Sequence, residues 1–252
     1  MIFTPKYYLL RVWQTLLDDI RRFYAWRNLV RLGIGMLAGA ILANTPLDAW
    51  LEKAYRSQIH SESKAAKTFH WVTKQFGDKR VVILAPVTAM AIGVLAPASP
   101  AAAVAGAWGT QMSRTLLVAS PVTYGGTWLL GGSRPKEGRG SGWHPLQDEN
   151  GISGHAMAGA VPFLVMAGMT ANPVAQTVLY ACSGLTACSR VDSRSHYPSQ
   201  IFLGWWLAFL GMRVARTQKH SCAGERGRAP SSEAIPDEAR HRVQIEDMRT
   251  AD

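Results

Sequence analysis

Charge is what this chain lacks over much of its length. Residues 81–112 and 153–188 carry almost no Asp, Glu, Lys or Arg, which argues against a water-soluble bundle, whose helices each need a charged outer face. Hydrophobic residues make up 48% of the chain and charged ones only 17%, a balance that points to a membrane protein. The mean hydropathy of −0.01 hides this, because from Thr217 onward the chain is rich in Arg, Glu, Ser and Pro with almost no aromatics. That composition predicts a disordered tail over 217–252.

Other absences narrow the chemistry. Cys182, Cys188 and Cys222 form no CxxC pair, so no disulfide framework is indicated, and the first two, inside an apolar segment, behave as small hydrophobes. The histidines at 60, 70, 144, 155 and 196 show neither HxxxH nor HExxH spacing, and no metal or cofactor is expected. The Gly-rich "GGSRPKEGRGSG" lacks the GK[ST] ending of a nucleotide-binding P-loop. No internal repeat is present. The N-terminus lacks a compact apolar core before a small-residue cleavage site, so it does not read as a cleaved signal peptide.

A net charge of +10 raises the question of nucleic acid. The basic residues answer it by their placement. Arg21, Arg22, Arg27 and Arg31 precede one apolar run, while Arg213, Arg216 and Lys219 follow another, as cytoplasmic flanks of membrane helices do. No nucleic-acid partner is expected; membrane lipids are.

What is present is an all-α pattern. Leu9, Val12, Trp13, Leu16, Leu17, Ile20 and Phe23 recur at helical spacing, which predicts an amphipathic interfacial segment over 1–29. Six segments read as membrane helices: 30–46, 80–97, 101–120, 153–170, 173–188 and 199–215. Their small-residue runs, such as "GIGMLAGAILA" and "AAAVAGAWG", suit close helix packing in lipid. Together 30–216 form one bundle domain. With both termini cytoplasmic, the linkers near Pro97 and Asn172 are cytoplasmic too, and 47–79, 121–152 and 189–198 lie outside. The outer segment 47–79 is itself basic, against the usual charge rule, and its "AWLEKAYRSQI" and "AAKTFHWVTKQF" pieces read as surface helices.

This count puts two polar clusters, "GGSRPKEGRGSGWHPLQDENGISGH" and "SRVDSRSHYPSQ", on the same side, each abutting a helix end. Ser153 and Gly154 open a helix, where unpaired N–H groups and the dipole favour an anion. Arg134 and Arg190 offer planar forks that hold phosphate oxygens and keep their charge. Taken singly, Ser153 reads equally as an N-cap, His155 as an interfacial residue and each arginine as a headgroup anchor.

In order, however, Arg-Pro, then Ser-Gly-His, then Ser-Arg followed by His196 resembles the three-part signature of the phosphatidic acid phosphatase type 2 and vanadium haloperoxidase superfamily. The resemblance spans about residues 65–215. It implies a membrane-bound phosphatase acting on a lipid phosphate or isoprenoid diphosphate through a phosphohistidine. His196 would be the nucleophile and His155 the general acid and later base, with Arg134, Arg190, Ser153 and the Gly154 N–H holding the non-bridging oxygens. The chemistry is coherent: a neutral imidazole attacks in line while fixed donors stabilise the equatorial oxygens. The membrane character disfavours a peroxidase, though vanadate should still inhibit.

Two positions depart from the family pattern. Thr127 stands where the first part begins with Lys, and Lys136 or Arg139 is a candidate replacement. Gln200 stands where the family has the Asp that orients the nucleophile and stabilises its cationic state; Asp192 is a candidate source of that charge. The alternative reading is therefore a non-catalytic lipid-phosphate binder with a degenerate site. A transporter is disfavoured because no inverted halves are visible.

Overall fold

The computed structural model describes Pro5 to Arg216, with side chains from Val12 onward. The tail expected over 217–252 lies outside the described residues, as do Cys222, Lys219 and the Leu9 side chain. Among the described residues all regular structure is helical. In chain order the α-helices are α1 (Pro5–Phe23), α2 (Trp26–Ala43), α3 (Leu47–Gln58), α4 (Lys64–Gln75), α5 (Lys79–Leu95), α6 (Pro100–Leu130), α7 (Gly154–Met169), α8 (Pro173–Cys182), α9 (Leu185–Asp192) and α10 (Pro198–Arg216). A short 3-10 turn, Pro135–Glu137, lies in the loop between α6 and α7.

Local sequence explains five of the ten α-helix starts among the described residues. The side chains of Ser63, Asp78, Ser99, Ser153 and Asn172 accept N–H bonds from the first turns of α4, α5, α6, α7 and α8, satisfying donors that have no partner within the helix. Pro100 and Pro173 occupy first-turn positions, where the missing N–H costs nothing.

The core sits where α6, α7 and α10 meet, around Met112, Val118, Val161, Leu164, Leu203, Leu207 and Leu210, all buried. Helix α5 packs on α6 through small residues. A Cβ added to Gly93 would lie 2.8 Å from Gly106 Cα, and one on Gly109 2.5 Å from the Pro86 carbonyl oxygen, so larger side chains would force the two backbones apart. Helix α1 is tied to the bundle by an ion pair. Asp19 exposes none of its surface and accepts two bonds from Arg114 of α6, at 2.6 and 2.7 Å. Its apolar stripe is divided: Phe23 is buried, whereas Val12, Trp13 and Ile20 face outward.

Helices α2, α5, α6, α7 and α10 fall on expected apolar segments, and α3 and α4 on the expected surface pieces. The segment 173–188 differs: it is divided into α8 and α9 at Ser183–Gly184. There the Ser183 hydroxyl bonds the Tyr180 carbonyl at 2.6 Å and accepts the Trp205 indole N–H at 2.8 Å, an anchor that competes with helix continuation. Helix α6 runs past its expected end at 120 with Pro121 inside it, stopping at Gly131, whose φ is 61°. No single helix among the described residues is long and apolar enough to cross a membrane; α2 and α3 pass that test together, across a 74° bend.

Candidate active site

The end of α6, the start of α7, the end of α9 and the start of α10 converge on one place, and Gln200 joins them. Its Oε1 accepts from His196 Nδ1 at 2.8 Å and from the Tyr197 N–H at 3.3 Å. Its Nε2 donates to the Ser133 carbonyl at 2.9 Å, and its own backbone carbonyl accepts the Ser153 N–H at 2.9 Å. The Tyr197 N–H can only donate and the Ser133 carbonyl can only accept, so the amide orientation is determined. An acceptor oxygen therefore faces Nδ1, the proton sits on Nδ1, and Nε2 carries the lone pair.

His196 is 7% exposed and hangs on the last turn of α9: its N–H and that of Ser195 both bond the Arg190 carbonyl, at 3.4 and 3.0 Å. Burial pushes the imidazole pKa down to about 3, the Gln200 bond opposing and the charges of Arg190 and Arg134 and the neighbouring His155 adding. The ring is thus held neutral, as a nucleophile requires.

Arg134 donates from Nε to Asn150 Oδ1 at 3.0 Å, and its N–H bonds Glu137 Oε2 at 3.2 Å, which closes the 3-10 turn. Arg190 has a buried Nε with no hydrogen-bond partner. Burial, then the charge of Arg134, lowers its pKa. Ser153 is fully buried, and its hydroxyl oxygen caps α7 by accepting the Ala156 N–H at 3.3 Å. Its own N–H is taken by Gln200. The Gly154 and His155 N–H groups make no hydrogen bond among the described residues, and the space beside Gly154 is open. Gly204 permits this arrangement, since a Cβ there would lie 2.4 Å from the Ser153 carbonyl oxygen and lift α10 off α7.

The structure therefore brings Arg134, Ser153, Gly154, His155, Arg190, His196 and Gln200 to one locality, with both arginines and His155 in electrostatic reach of His196. Two of the suggested substitutes, Asp192 and Arg139, are engaged elsewhere. Asp192 turns away from His196: its Oδ1 bonds His60 Nδ1 at 2.6 Å and lies 3.5 Å from His70 Nε2. Arg139 is bound to Asp148 and Glu137, and the Lys136 side chain is exposed. Thr127 bonds its hydroxyl to the Tyr124 carbonyl of its own helix at 2.5 Å.

Sequence reasoning missed Asp48. This fully buried carboxylate on α3 accepts the Ser199 N–H at 2.8 Å and its hydroxyl at 2.5 Å, capping α10 one residue before Gln200. It also missed Lys74 and Lys79, which lie within electrostatic reach of His155. The only available signal for these lysines was their place in a basic outer segment.

Two arginines, an open helix N-terminus and a neutral imidazole with its lone pair unengaged form an arrangement chemically suited to a tetrahedral oxyanion. Residues 101–222 match the family model described as PAP2 superfamily. The match supports placing this region in that superfamily and, in general terms, phosphoric ester hydrolysis. No curated protein and no solved structure matches the chain at a significant level.

Proposed function

We propose that the chain is an integral membrane phosphatase that hydrolyses a lipid phosphate or lipid diphosphate through a phosphohistidine on His196. Both termini lie on the cytoplasmic side and the site at the extracytoplasmic face. The observation that carries the reading is Arg190: a buried guanidinium Nε with no partner, beside a second arginine and two imidazoles, is costly unless an anion completes it. Phosphate matches that fork in charge and shape.

Two features support a lipid. Ile34, Leu37, Ile83, Val94, Leu95 and Val104 each leave more than half of their surface exposed, an apolar exterior suited to hydrocarbon. A cavity of about 730 Å³ between α5 and α6, lined by Val82, Ile83, Val87, Leu116 and Leu117 with Lys79 and Tyr124, can take an apolar chain.

In the reaction, His196 Nε2 attacks phosphorus, Arg134, Arg190 and the Gly154 N–H hold the non-bridging oxygens, and His155 protonates the leaving oxygen. Water then attacks the phosphohistidine, with His155 removing its proton. The test is phosphate release by detergent-solubilised full chain: His196→Ala should lower the rate by about 10³-fold or more, and an unchanged rate would refute the assignment. Gln200 favours a second reading, a binder without turnover; it predicts binding of lipid phosphates by a wild type that releases none.

A further inference from the structure

Resting on the phosphatase reading above, we infer that Lys74 and Lys79 form a second anion subsite on the leaving-group side of His155, so that the preferred leaving group is itself a phosphate. The turn between α4 and α5 is pressed onto His155. A Cβ on Gly77 would come 2.5 Å from the His155 carbonyl oxygen, and only glycine allows that approach. One residue pair anchors the same end of α4: the Thr186 hydroxyl donates to the Thr73 carbonyl at 2.9 Å.

Lys74 and Lys79 flank Gly77, and both are exposed. Neither ammonium makes a hydrogen bond or ion pair among the described residues. The other charges on this turn are Asp78, which caps α5 by accepting the Arg80 N–H at 2.9 Å, and Arg80 itself. Three cations against one carboxylate leave the turn positive. Lys79 also lines the apolar cavity between α5 and α6, so it stands where a lipid chain in that cavity would pass toward His155.

His155 is the group that faces the leaving oxygen, and cations beyond it act on charge that collects there. A phosphate monoester takes its second proton near pH 6, whereas an alkoxide is a base comparable to hydroxide, near 15.7. The chain's departures agree with the easier leaving group. Gln200 brings no negative charge to the phosphohistidine side, and Thr127 removes a cation from the first motif. A phosphoanhydride asks least of such a site.

The step balances. The His196 Nε2 lone pair forms a bond to the terminal phosphorus as the bond from that phosphorus to the bridging oxygen breaks. The electron pair stays on that oxygen, His155 delivers its proton, and a lipid monophosphate leaves past Lys74 and Lys79. Water then bonds to phosphorus, His155 takes its proton, the N–P bond breaks and inorganic phosphate departs.

The experiment compares diacylglycerol diphosphate with phosphatidic acid, which share one lipid portion, in mixed micelles with the full chain. The expected kcat/KM favours the diphosphate by about 100-fold or more. In the double variant Lys74→Gln, Lys79→Gln that preference should fall by about tenfold or more, and Lys74→Arg, Lys79→Arg should keep it. Equal turnover of both lipids, or a preference the double variant leaves intact, overturns the subsite while the His196-dependent phosphatase stands. Release of phosphate from neither lipid overturns both. Circular dichroism of the glutamine variant separates unfolding from a lost preference.

Discussion

Burial leaves His196 its most measurable mark, in the dependence of rate on pH. An ordinary histidine titrates near 6.5 and is about 3% neutral at pH 5, whereas one held at about 3 is about 99% neutral there. The wild type therefore keeps roughly 30 times more neutral His196 at that pH than an unperturbed site would. Gln200→Glu keeps the side-chain length and places a carboxylate against Nδ1. The sign is unambiguous: a negative neighbour favours the imidazolium and raises the His196 pKa. The same carboxylate faces the Ser133 carbonyl across the present 2.9 Å bond, which costs about 1–3 kcal/mol. Measuring kcat/KM from pH 4 to 8 for both proteins and dividing the profiles cancels the substrate's own ionisation near pH 6. The wild-type to Gln200→Glu ratio should climb as pH falls from 7 to 5. A flat ratio, or a wild-type limb centred near 6.5, would refute the reasoning from burial.

Stability follows the same linkage: because the folded His196 pKa lies below its unfolded value, the unfolded chain binds more protons between pH 6.5 and 3. Stability from this site is therefore intact above about 6.5 and lost as pH falls toward 3, which thermal melts in detergent at pH 7 and 4.5, with His196→Gln as the control lacking the titration, will show. Asp48→Ala removes the cap of α10 and should cost about 1–2 kcal/mol, with kcat falling more than KM changes; an unaltered kcat would exclude a positioning role. Arg114→Met strands the buried Asp19 carboxylate and should cost about 3–5 kcal/mol, much of it recovered when Asp19→Leu is added; additive losses in the double variant would contradict the pairing. Vanadate, which mimics the phosphoryl group, should inhibit competitively in the micellar assay, and an unaffected rate would count against the anion site.

Local pattern carried much of the fold. Helices α3 and α4 were legible from the spacing of their apolar residues, and α7 from Ser153 followed by an apolar run. The break between α8 and α9 was not, because the interaction of Ser183 with Trp205 is tertiary and no propensity announces it. At the site, the three motif fragments pointed to Arg134, His155, Arg190 and His196 by residue type and order, and the fold brings these four to one locality. Their relation to Gln200 could be guessed from its four-residue offset from His196 on a helical turn. Asp192 illustrates the limit: the same offset on the other side made it a candidate, but α9 ends between the two residues and turns the carboxylate toward His60, 132 residues away. Asp48, likewise on a distant helix, carries no mark in the sequence of its bond to Ser199.

The phosphohistidine is the central claim, and rapid-quench labelling reaches it most directly. Full chain mixed with a lipid phosphate carrying a radiolabelled terminal phosphoryl group, quenched within a turnover and mapped by peptide, should show acid-labile label on the peptide containing His196, absent from His196→Ala. Label on any other residue, or turnover with no labelled protein at any quench time, would contradict it.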